Sequence, residues 1–243
     1  MRVSYGKWTK HRLMSQDERL KDYLPETKYF SKESLWTMVE KHGQVMIKPC
    51  LGHKGYGVVQ ISALEDDQYE LHKDFKKVIL TGKEETFEYL KKNCIKRQRH
   101  YIVQQKIPLA AINNDPFDIR VMIQRKRKPK DWVITGKLAK VAARNYVITN
   151  VAKAVLPVEE AISKSNIDNE QKQKIIAMLD EVSLLVVQYL ASSYPRTRAF
   201  GLDVGIDSKG DIWIIEANIS PSSSMFKFLK DGSYKTIIAY KRG

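Results

Sequence analysis

The chain has 243 residues, of which 42 are Lys or Arg and 28 are Asp or Glu, so its formal charge is +14 at pH 7. Its 43% hydrophobic and 29% charged residues are typical of a globular protein with a sizeable core, and they exclude a disordered chain. The start of the chain has no apolar segment, and no later run approaches the roughly 18 uncharged residues that cross a bilayer. We therefore expect a cytoplasmic protein without a membrane span. The positive charge favours anionic partners.

The first part of the chain predicts a lobe of helices and antiparallel strands that ends near residue 110. Residues 10–42 carry mixed-charge helical patterns interrupted by an extended segment at residues 24–27, and we expect this stretch to lead into the first lobe. Short strands are predicted at residues 45–47, 58–61 and 101–105, the last ended by a proline three residues on. The two cysteines lie in no zinc-ligand spacing and are interpreted as structural.

The second part, from about residue 111 to the end, predicts another lobe. Strands at residues 118–124 and 132–141 flank a basic turn at residues 125–130. Residues 169–193 have apolar positions at helical spacing, which predicts a long amphipathic helix packed on the second sheet. No linker long enough to separate independent domains is present, so residues 1–243 are interpreted as one domain of two lobes.

A lysine and three glycines mark the connection between the first two predicted strands of the first lobe. Lys48 stands at the end of one strand, and Gly52, Gly55 and Gly57 precede the next. Such a loop can lay backbone N–H groups over phosphates, with the lysine as a point cation. It is neither a Walker loop nor a Rossmann fingerprint, because no Gly-Lys-Ser/Thr opens a helix and a second strand follows. The alternative is a plain glycine-rich hairpin.

Two apolar strands near the end of the chain flank a polar turn and carry acids at chosen places. A turn at residues 207–210 would put Asp203 opposite Ile214 and make Glu216 its diagonal neighbour on the same face, which Asn218 shares. Three converging oxygen side chains suit Mg²⁺, which keeps further positions for water and phosphates. The alternative is an ordinary hairpin with acids on its solvated side.

Together these features resemble the ATP-grasp superfamily over nearly the whole chain, from about residue 7 to residue 240. The order is a strand lysine with a glycine loop, a middle strand, an Asp, a Glu thirteen residues later and an Asn two residues after that. Residues 6–8, 23–27, 101–105, 116–120 and 147–150 look most like the endospore coat-associated YheC/YheD group. The resemblance implies an α+β fold in which two lobes with mainly antiparallel sheets clamp ATP.

The resemblance also assigns roles to individual residues. Mg²⁺, expected as two ions with Mn²⁺ as an alternative, would bind at the three oxygen side chains of the hairpin. ATP would lie between the phosphate-contacting lysines, the glycine loop and a hinge whose backbone pairs with adenine. The implied set is Asp203, Glu216 and Asn218 for the metal, Lys10 (with Lys7 as a rival), Lys48, Gly52, Gly55 and Gly57 for phosphate, Gln104, Gln105 and Ile107 for adenine, Asp118 for ribose, and Arg120, Lys140, Arg144 and Asn150 near the γ-phosphate.

Two departures from the family pattern bear on the substrate. Val151 and Ala152 follow the Thr-Asn pair where relatives have a Gly-Gly step, so the backbone there cannot approach a ligand as closely. Too few residues precede Lys10 to form the full α/β domain that usually comes first. We therefore expect the acceptor to bind another surface or to arrive on a partner.

The resemblance implies a carboxylate-amine ligase that uses ATP and Mg²⁺ and acts through an acyl phosphate, with an amino acid or peptide among the candidate substrates. One alternative is a small-molecule kinase. Another is a nucleotide-binding assembly protein without turnover, associated with the spore coat. Nucleic-acid binding is disfavoured, because the basic runs at residues 91–100 and 125–130 are not interleaved with aromatic residues.

Overall fold

The computed structural model describes residues 3–52, 55–143 and 152–243, and these form two lobes, each built on one antiparallel sheet. The strand order is 1-6-2-3-4-5 in the first sheet and 10-9-8-11-12 in the second, where strand 7 pairs with strand 8 as well. Every strand pairing is antiparallel, and helices cover the sheets. The predicted α+β fold with two mainly antiparallel lobes is confirmed.

The leading segment consists of helix α1 (Lys7–Met14) and a short 3₁₀ helix (Glu18–Tyr23). The expectation that this segment serves the first lobe is wrong in one respect, because its apolar side chains Met14, Leu20 and Leu24 join the hydrophobic core of the second lobe. Helix α1 also contacts strands of both lobes. The segment therefore lies across the junction, which brings its lysines to the space between the lobes.

The first lobe packs two helices against one face of a six-stranded sheet. Helix α2 begins with a reciprocal capping box between Ser31 and Ser34 and ends at Gly43, whose φ is 68°. The core between helices and sheet is made of side chains such as Leu35, Val45 and Leu90. The three predicted strands are confirmed, within a lobe that comprises β1 (Thr27–Tyr29), α2 (Lys32–His42), β2 (Gln44–Pro49), β3 (Val59–Ala63), β4 (Gln68–Lys73), β5 (Lys76–Thr81), α3 (Lys83–Asn93) and β6 (Tyr101–Gln105).

The second lobe has its main core on one sheet face and a smaller cluster, which includes Met122 and Phe226, on the other. The predicted strand pair with a basic turn is confirmed as the β8–β9 hairpin. The elements are β7 (Ala111–Ile112), β8 (Asp115–Gln124), β9 (Val133–Ala142), β10 (Ala152–Leu156), α4 (Val158–Lys164), α5 (Asn169–Ser193), β11 (Ala199–Ile206), β12 (Ile212–Ile219), a 3₁₀ helix (Ser224–Phe228) and α6 (Ser233–Arg242).

Helix α5 has the bounds that the apolar periodicity predicts. Its buried side chains, among them Leu179, Val186 and Leu190, belong to the core of the second lobe. Within the part of the chain that the structure describes, α5 is the one helix whose length and apolar composition would allow it to cross a membrane. The helix packs against β8, β9, α1 and α4, with 39% of that apolar stretch buried inside the protein.

Strands β11 and β12 form the predicted hairpin, but in a different register. Asp203 pairs directly with Glu216, and Ile215 is an extra residue in a β-bulge between this pair and the next one, so the predicted pairing of Asp203 with Ile214 is wrong. The turn is one residue longer than expected, because the Asp207 carboxylate accepts the N–H groups of Lys209 and Asp211. The longer turn by itself would put Asp203 and Glu216 on opposite faces of the hairpin. The extra residue in the bulge offsets it, so both side chains still lie on one face.

Candidate nucleotide and metal site

A cavity of about 1530 Å³ lies between the lobes. That volume exceeds the roughly 300–1,000 Å³ of a usual small-molecule site, so it has room for more than one ligand. Both lobes and the leading segment contribute to the wall. Of the predicted residues it is lined by Lys10, Lys48, Gly52, Gly55, Gln104, Gln105, Ile107, Asp118, Arg120, Asp203, Glu216 and Asn218.

Asp203 is the centre of the polar network in this cavity. Arg120 on the neighbouring strand β8 donates from Nε and Nη2 to the two carboxylate oxygens, each over 2.9 Å. Lys140 Nζ on β9 lies 3.0 Å from Asp203 Oδ1 and 3.0 Å from Asp118 Oδ2. Three adjacent strands of the second sheet therefore place two cations and two carboxylates in one buried cluster.

Charge pairing decides the protonation states in this cluster. Burial by itself would raise the pKa of the Asp203 carboxyl, but Arg120 and Lys140 outweigh it and hold that pKa well below its usual range. Burial would lower the pKa of Lys140, but Asp118 and Asp203 outweigh it and raise that pKa. The lysine is therefore an ammonium ion and Asp203 a carboxylate at neutral pH. Since the Lys140 side chain is only 1% exposed, it can orient Asp203 but has little access to a phosphate.

The hairpin face fits a hard cation by the chemistry of its donors. Glu216 stands beside Asp203 in register, and Asn218 donates its Nδ2 group to Asp203 Oδ2 over 3.1 Å, which directs its amide carbonyl oxygen elsewhere. Glu216 Oε1 pairs with Lys7 Nζ at 3.1 Å. The described ranges hold no cluster of three or more His, Cys, Asp or Glu that could bind an ion. A metal here would accordingly depend on two carboxylates and one amide oxygen, the donor type that Mg²⁺ accepts.

Two lysines from different elements enter the same space. Lys10 on α1 is buried, and burial lowers its pKa to about 8 although Glu216 and Asp203 favour the charged form. Burial also lowers the pKa of Lys48 at the end of β2 to about 8, again against the effect of Glu216. Lys48 Nζ donates to the side-chain oxygen of Gln104. An incoming polyanion would raise both pKa values and hold both lysines charged.

The predicted hinge joins the lobes at the end of β6. The N–H of Gln105 donates to Glu26 O, and its side-chain oxygen accepts from Glu26 N, so this residue is tied to the first lobe. Lys106 N donates to Gln44 O. In the part of the chain that the structure describes, the N–H of Ile107 makes no backbone hydrogen bond. Of these three amides, only that of Ile107 is available to a base in the cavity.

The glycine loop contributes Gly52 and Gly55 to the cavity wall, whereas the predicted Gly57 does not line the cavity. Gly55 and Gly57 have φ angles of 72° and 78°, in the left-handed region that disfavours side chains. Gly52 has no such strain, and a Cβ there would meet Pro49 Cβ at an ordinary 3.7 Å. Its lack of a side chain therefore serves no packing need within the described chain. Lys7 Nζ donates to Gly52 O over 3.4 Å. This contact links the loop to the hairpin face that carries Asp203, Glu216 and Asn218, here called the metal face.

Two predicted site residues lie outside the described part of the chain, and one residue that the prediction ranked second lies in the cavity. Arg144 and Asn150 fall in residues 144–151, which are not among those described, so their predicted roles stay predictions. Lys7 was only a rival for the place of Lys10, yet the structure brings both into the cavity. The glycine in front of Lys7 could have signalled a helix start, with both lysines on one helix three residues apart.

Two antiparallel lobes around a polar cleft, with this lysine and acid arrangement, define the ATP-grasp class, and solved structures agree. The N5-carboxyaminoimidazole synthetase from Staphylococcus aureus complexed with ADP is 13% identical, with a TM-score of 0.60, over 98% of this chain and 51% of that chain. The VanG D-Ala:D-Ser ligase from Enterococcus faecalis is 12% identical, with a TM-score of 0.58, over 99% of this chain and 61% of that one. At these identities the likeness shows the fold alone.

The chain belongs to the YheC/D like ATP-grasp family, whose model matches residues 2–242. The endospore coat-associated protein YheD of Bacillus subtilis is 25% identical over 233 residues, which are 91% of this chain and 49% of that protein. The endospore coat-associated protein YheC of the same organism is 24% identical over 223 residues, 88% of this chain and 59% of that protein. The chain thus spans about half to three fifths of these curated relatives.

Proposed function

We propose that this protein binds ATP with Mg²⁺ in the cleft and uses it to join a carboxylate to an amine. The observation that carries the proposal is the charge balance of the site. Around the hairpin face that carries Asp203 and Glu216, five cations lie near three carboxylates, a surplus of two positive charges for an anionic ligand: Lys7, Lys10, Lys48, Arg120 and, behind the cavity wall, Lys140 against Asp118, Asp203 and Glu216. A nucleotide triphosphate is the ligand whose charge and length suit that surplus.

The reaction needs alignment and charge stabilisation more than acid-base chemistry. A carboxylate oxygen of the substrate forms a bond to the γ-phosphorus of ATP while the bond to ADP breaks, which gives an acyl phosphate. The amine nitrogen then bonds to the acyl carbon, and inorganic phosphate leaves. Lys10 and Lys48 would neutralise the charge on the phosphates, and the glycine loop would exclude water.

The metal face would work through its fixed carboxylates. Mg²⁺, held at Asp203, Glu216 and the Asn218 carbonyl oxygen, would neutralise phosphate charge and hold the phosphates in line. Lys140 acts through Asp203 and is a positioning residue in this scheme. Lys7 would have to exchange Glu216 for a phosphate oxygen when the nucleotide enters, since one ammonium cannot neutralise both.

The decisive experiment measures thermal stability with ATP and Mg²⁺, followed by ADP release against a pool of amino acids and acidic peptides. We expect a metal-dependent rise in Tm that Glu216→Gln removes and that Glu85→Gln, on the exposed face of α3, leaves unchanged. Mass spectrometry of the products distinguishes ligation, which joins two substrates with loss of water, from phosphoryl transfer, which leaves phosphate on one substrate. The absence of any nucleotide-dependent shift would refute the proposal.

A binding module without turnover remains the second candidate, because the carboxylates of the metal face are engaged by Arg120, Lys140 and Lys7 within the chain. It predicts the same rise in Tm with no ADP release under any substrate. The curated relatives are named as endospore coat-associated. Under either candidate we extend that association to this chain, with assembly in the cytoplasm, and immunolocalisation in sporulating cells would test it.

A further inference from the structure

The cavity continues well past the metal face, away from the hinge. Leu109 bridges to Asp207 at one end of β11, while Ala199 and Arg198 line the cavity at the other end. Asp203 lies midway, about 13 Å from each end at the usual rise per strand residue. If the nucleotide extends from the hinge to the metal face, as the proposed function requires, the half beyond Asp203 is left for the other substrates.

The far half of the cavity, here called the distal compartment, is cationic and hydroxyl-lined. It is formed by residues 196–199, the segment after β12 at residues 220–226, and residues 240–241 at the end of α6. The carboxylates in the cavity wall are Asp74, Asp118, Asp203 and Glu216, and none of them comes from these three segments. The distal compartment therefore has positive side chains without acidic counterparts.

Arg198 is the central side chain of this compartment. Its Nη2 group donates to the Lys241 carbonyl over 3.3 Å, and its Nη1 atom is buried with no hydrogen-bond acceptor among the described residues. Within the same residues Arg198 forms no ion pair. A guanidinium that lines the cavity and forms no ion pair within the described residues is suited to receive an anion. Because Nη1 is enclosed, an anion in the cavity would be bound by the other donors of the guanidinium.

Hydrogen bonds also hold the side chains and the backbone next to Arg198 in place. Lys241 Nζ donates to Ser223 Oγ over 3.1 Å, and the Ser222 and Ser224 hydroxyls lie 3.0 Å apart. On the other side, Arg125 fixes the segment that carries Arg198 through hydrogen bonds to the carbonyls of Pro195 and Thr197. Such preorganised donors lose little freedom when a ligand binds.

A glycine keeps the serine segment close to the sheet. A Cβ at Gly201 would lie 2.6 Å from Pro221 Cβ, a distance that atoms do not adopt. Pro221 therefore lies directly against β11 at Gly201, two positions along the strand from Asp203. The Nη1 atom of Arg120 would lie 3.3 Å from the same Cβ, so the guanidinium that holds Asp203 also borders this contact.

From these observations we propose that the distal compartment binds a carboxylate group of the second substrate, through Arg198 and Lys241. The proposal deepens the proposed function and rests on it. It names the acceptor as an amine that also carries a carboxylate, the chemistry of an amino acid or of the C-terminal end of a peptide. The Arg198 guanidinium would supply a charge-assisted hydrogen bond to the carboxylate, and the Lys241 ammonium would add a second positive charge.

The test uses glutarate as the anionic probe and glutaramide as its neutral match, in titrations followed by ligand-observed NMR with ADP and Mg²⁺ present. We expect glutarate to bind the wild-type chain and glutaramide not to. The double variant Arg198→Gln/Lys241→Gln should weaken glutarate binding about tenfold or more, as the loss of charge-assisted hydrogen bonds requires. Lys241→Gln alone should give a smaller loss. Arg242→Gln, an exposed cation next in sequence that does not line the cavity, should change nothing.

Each outcome decides one proposal. If glutarate fails to bind, or binds the double variant as tightly as the wild type, the carboxylate site is wrong. If inorganic phosphate binds better than glutarate and with the same dependence on Arg198, the ligand class is wrong. ADP binding is measured in the same samples and should be equal in all variants, so failure of the nucleotide site would show separately as loss of ADP binding in the wild type. A melting temperature for each variant controls for folding.

Discussion

Lys140 Nζ lies 3.0 Å from Asp203 Oδ1, and the lysine side chain is almost completely enclosed. This pair joins β9 to β11 across β8 in the middle of the second sheet. Removal of the Asp203 carboxylate would leave Arg120 and Lys140 with Asp118 as the remaining acid of the cluster, and an undercompensated buried charge usually costs about 3–5 kcal/mol. The same residue that the resemblance assigns to the metal is therefore also part of what holds the second lobe together.

We predict that Asp203→Asn lowers the free energy of unfolding by about 3 kcal/mol or more, since the buried Arg120 guanidinium loses the carboxylate that accepts its two hydrogen bonds and Lys140 loses one of its two carboxylate neighbours. Glu216→Gln should cost less than about 1 kcal/mol, because Glu216 is partly exposed and its one ion pair among the described residues is with Lys7. Urea denaturation of both variants without ligand gives the comparison. Equal losses would contradict the structural role of Asp203.

This difference bears on how the metal site should be tested. Loss of nucleotide binding in an Asp203 variant would mix unfolding with loss of a ligand. Glu216→Gln removes a donor with little structural cost, so it separates the two effects.

The alternation of side chains along β11 and β12 was enough to predict that Asp203, Glu216 and Asn218 share a face. It could not reveal the bulge at Ile215, which depends on how the Asp207 side chain closes the turn. The sequence could not identify the partners of Asp203 either. Arg120 lies 83 positions away along the chain, and only the order of strands in the sheet brings it near.

Apolar periodicity predicted α5 with its correct ends, since a long amphipathic helix is a local property of the sequence. The position of α1 is not local. Its packing across both lobes depends on Met14 entering the core of the second lobe, which no pattern within residues 7–14 indicates. For that reason the sequence left Lys7 and Lys10 as rivals, whereas the fold places both in the cleft.

The lysines make nucleotide affinity depend on pH. The pKa values of Lys10 and Lys48 in the folded chain are about 8, below the ordinary value of 10.5. Below pH 8 both are charged, and above it they lose the charge that attracts phosphate. We predict that ADP affinity falls about tenfold between pH 7 and pH 9, with proton uptake on binding near pH 8, measurable by calorimetry in buffers of different ionisation enthalpy.

The lowered pKa values of Lys10 and Lys48 affect stability in the opposite direction: as pH rises, ADP affinity falls but the stability of the ligand-free chain increases. Between pH 8 and pH 10.5 the unfolded chain still binds the two protons that the folded chain has released, so the free energy of unfolding without ligand receives a rising contribution from these lysines. Lys48→Arg keeps its charge throughout and should flatten the pH dependence of ADP affinity. Lys91→Arg on the exposed face of α3 should not. A pH-independent affinity in the wild type would rule out the depressed pKa values.

Two glycines of the loop allow the effect of a substitution on stability to be separated from its effect on nucleotide binding. Gly57 has a φ of 78°, and a Cβ there would also approach Pro49 Cγ to 3.3 Å. We predict that Gly57→Ala costs about 1–2 kcal/mol of stability. Gly52→Ala, with no backbone strain and only ordinary van der Waals contacts for the new Cβ, should leave stability nearly unchanged yet weaken nucleotide binding if the backbone lies against phosphate. Thermal melts and ADP titrations of the two variants provide the test, and a stability loss at Gly52 equal to that at Gly57 would contradict it.

Lys7 links the glycine loop to the metal face through Gly52 O and Glu216 Oε1. In the absence of nucleotide its ammonium competes with a divalent cation for the same carboxylate. We predict that Lys7→Met binds free Mn²⁺ more tightly than the wild type, by about threefold to tenfold, because a cation is removed from the ion's surroundings. The same variant should bind ATP with Mg²⁺ more weakly, since one phosphate partner is lost.

Mn²⁺ titration followed by electron paramagnetic resonance measures the affinity for free Mn²⁺, and calorimetry measures the affinity for ATP with Mg²⁺. Lys21→Met, on the exposed 3₁₀ helix, is the matched control. If Lys7→Met weakened both ligands alike, Lys7 would support the site as part of its framework, and the exchange of Glu216 for phosphate would be wrong.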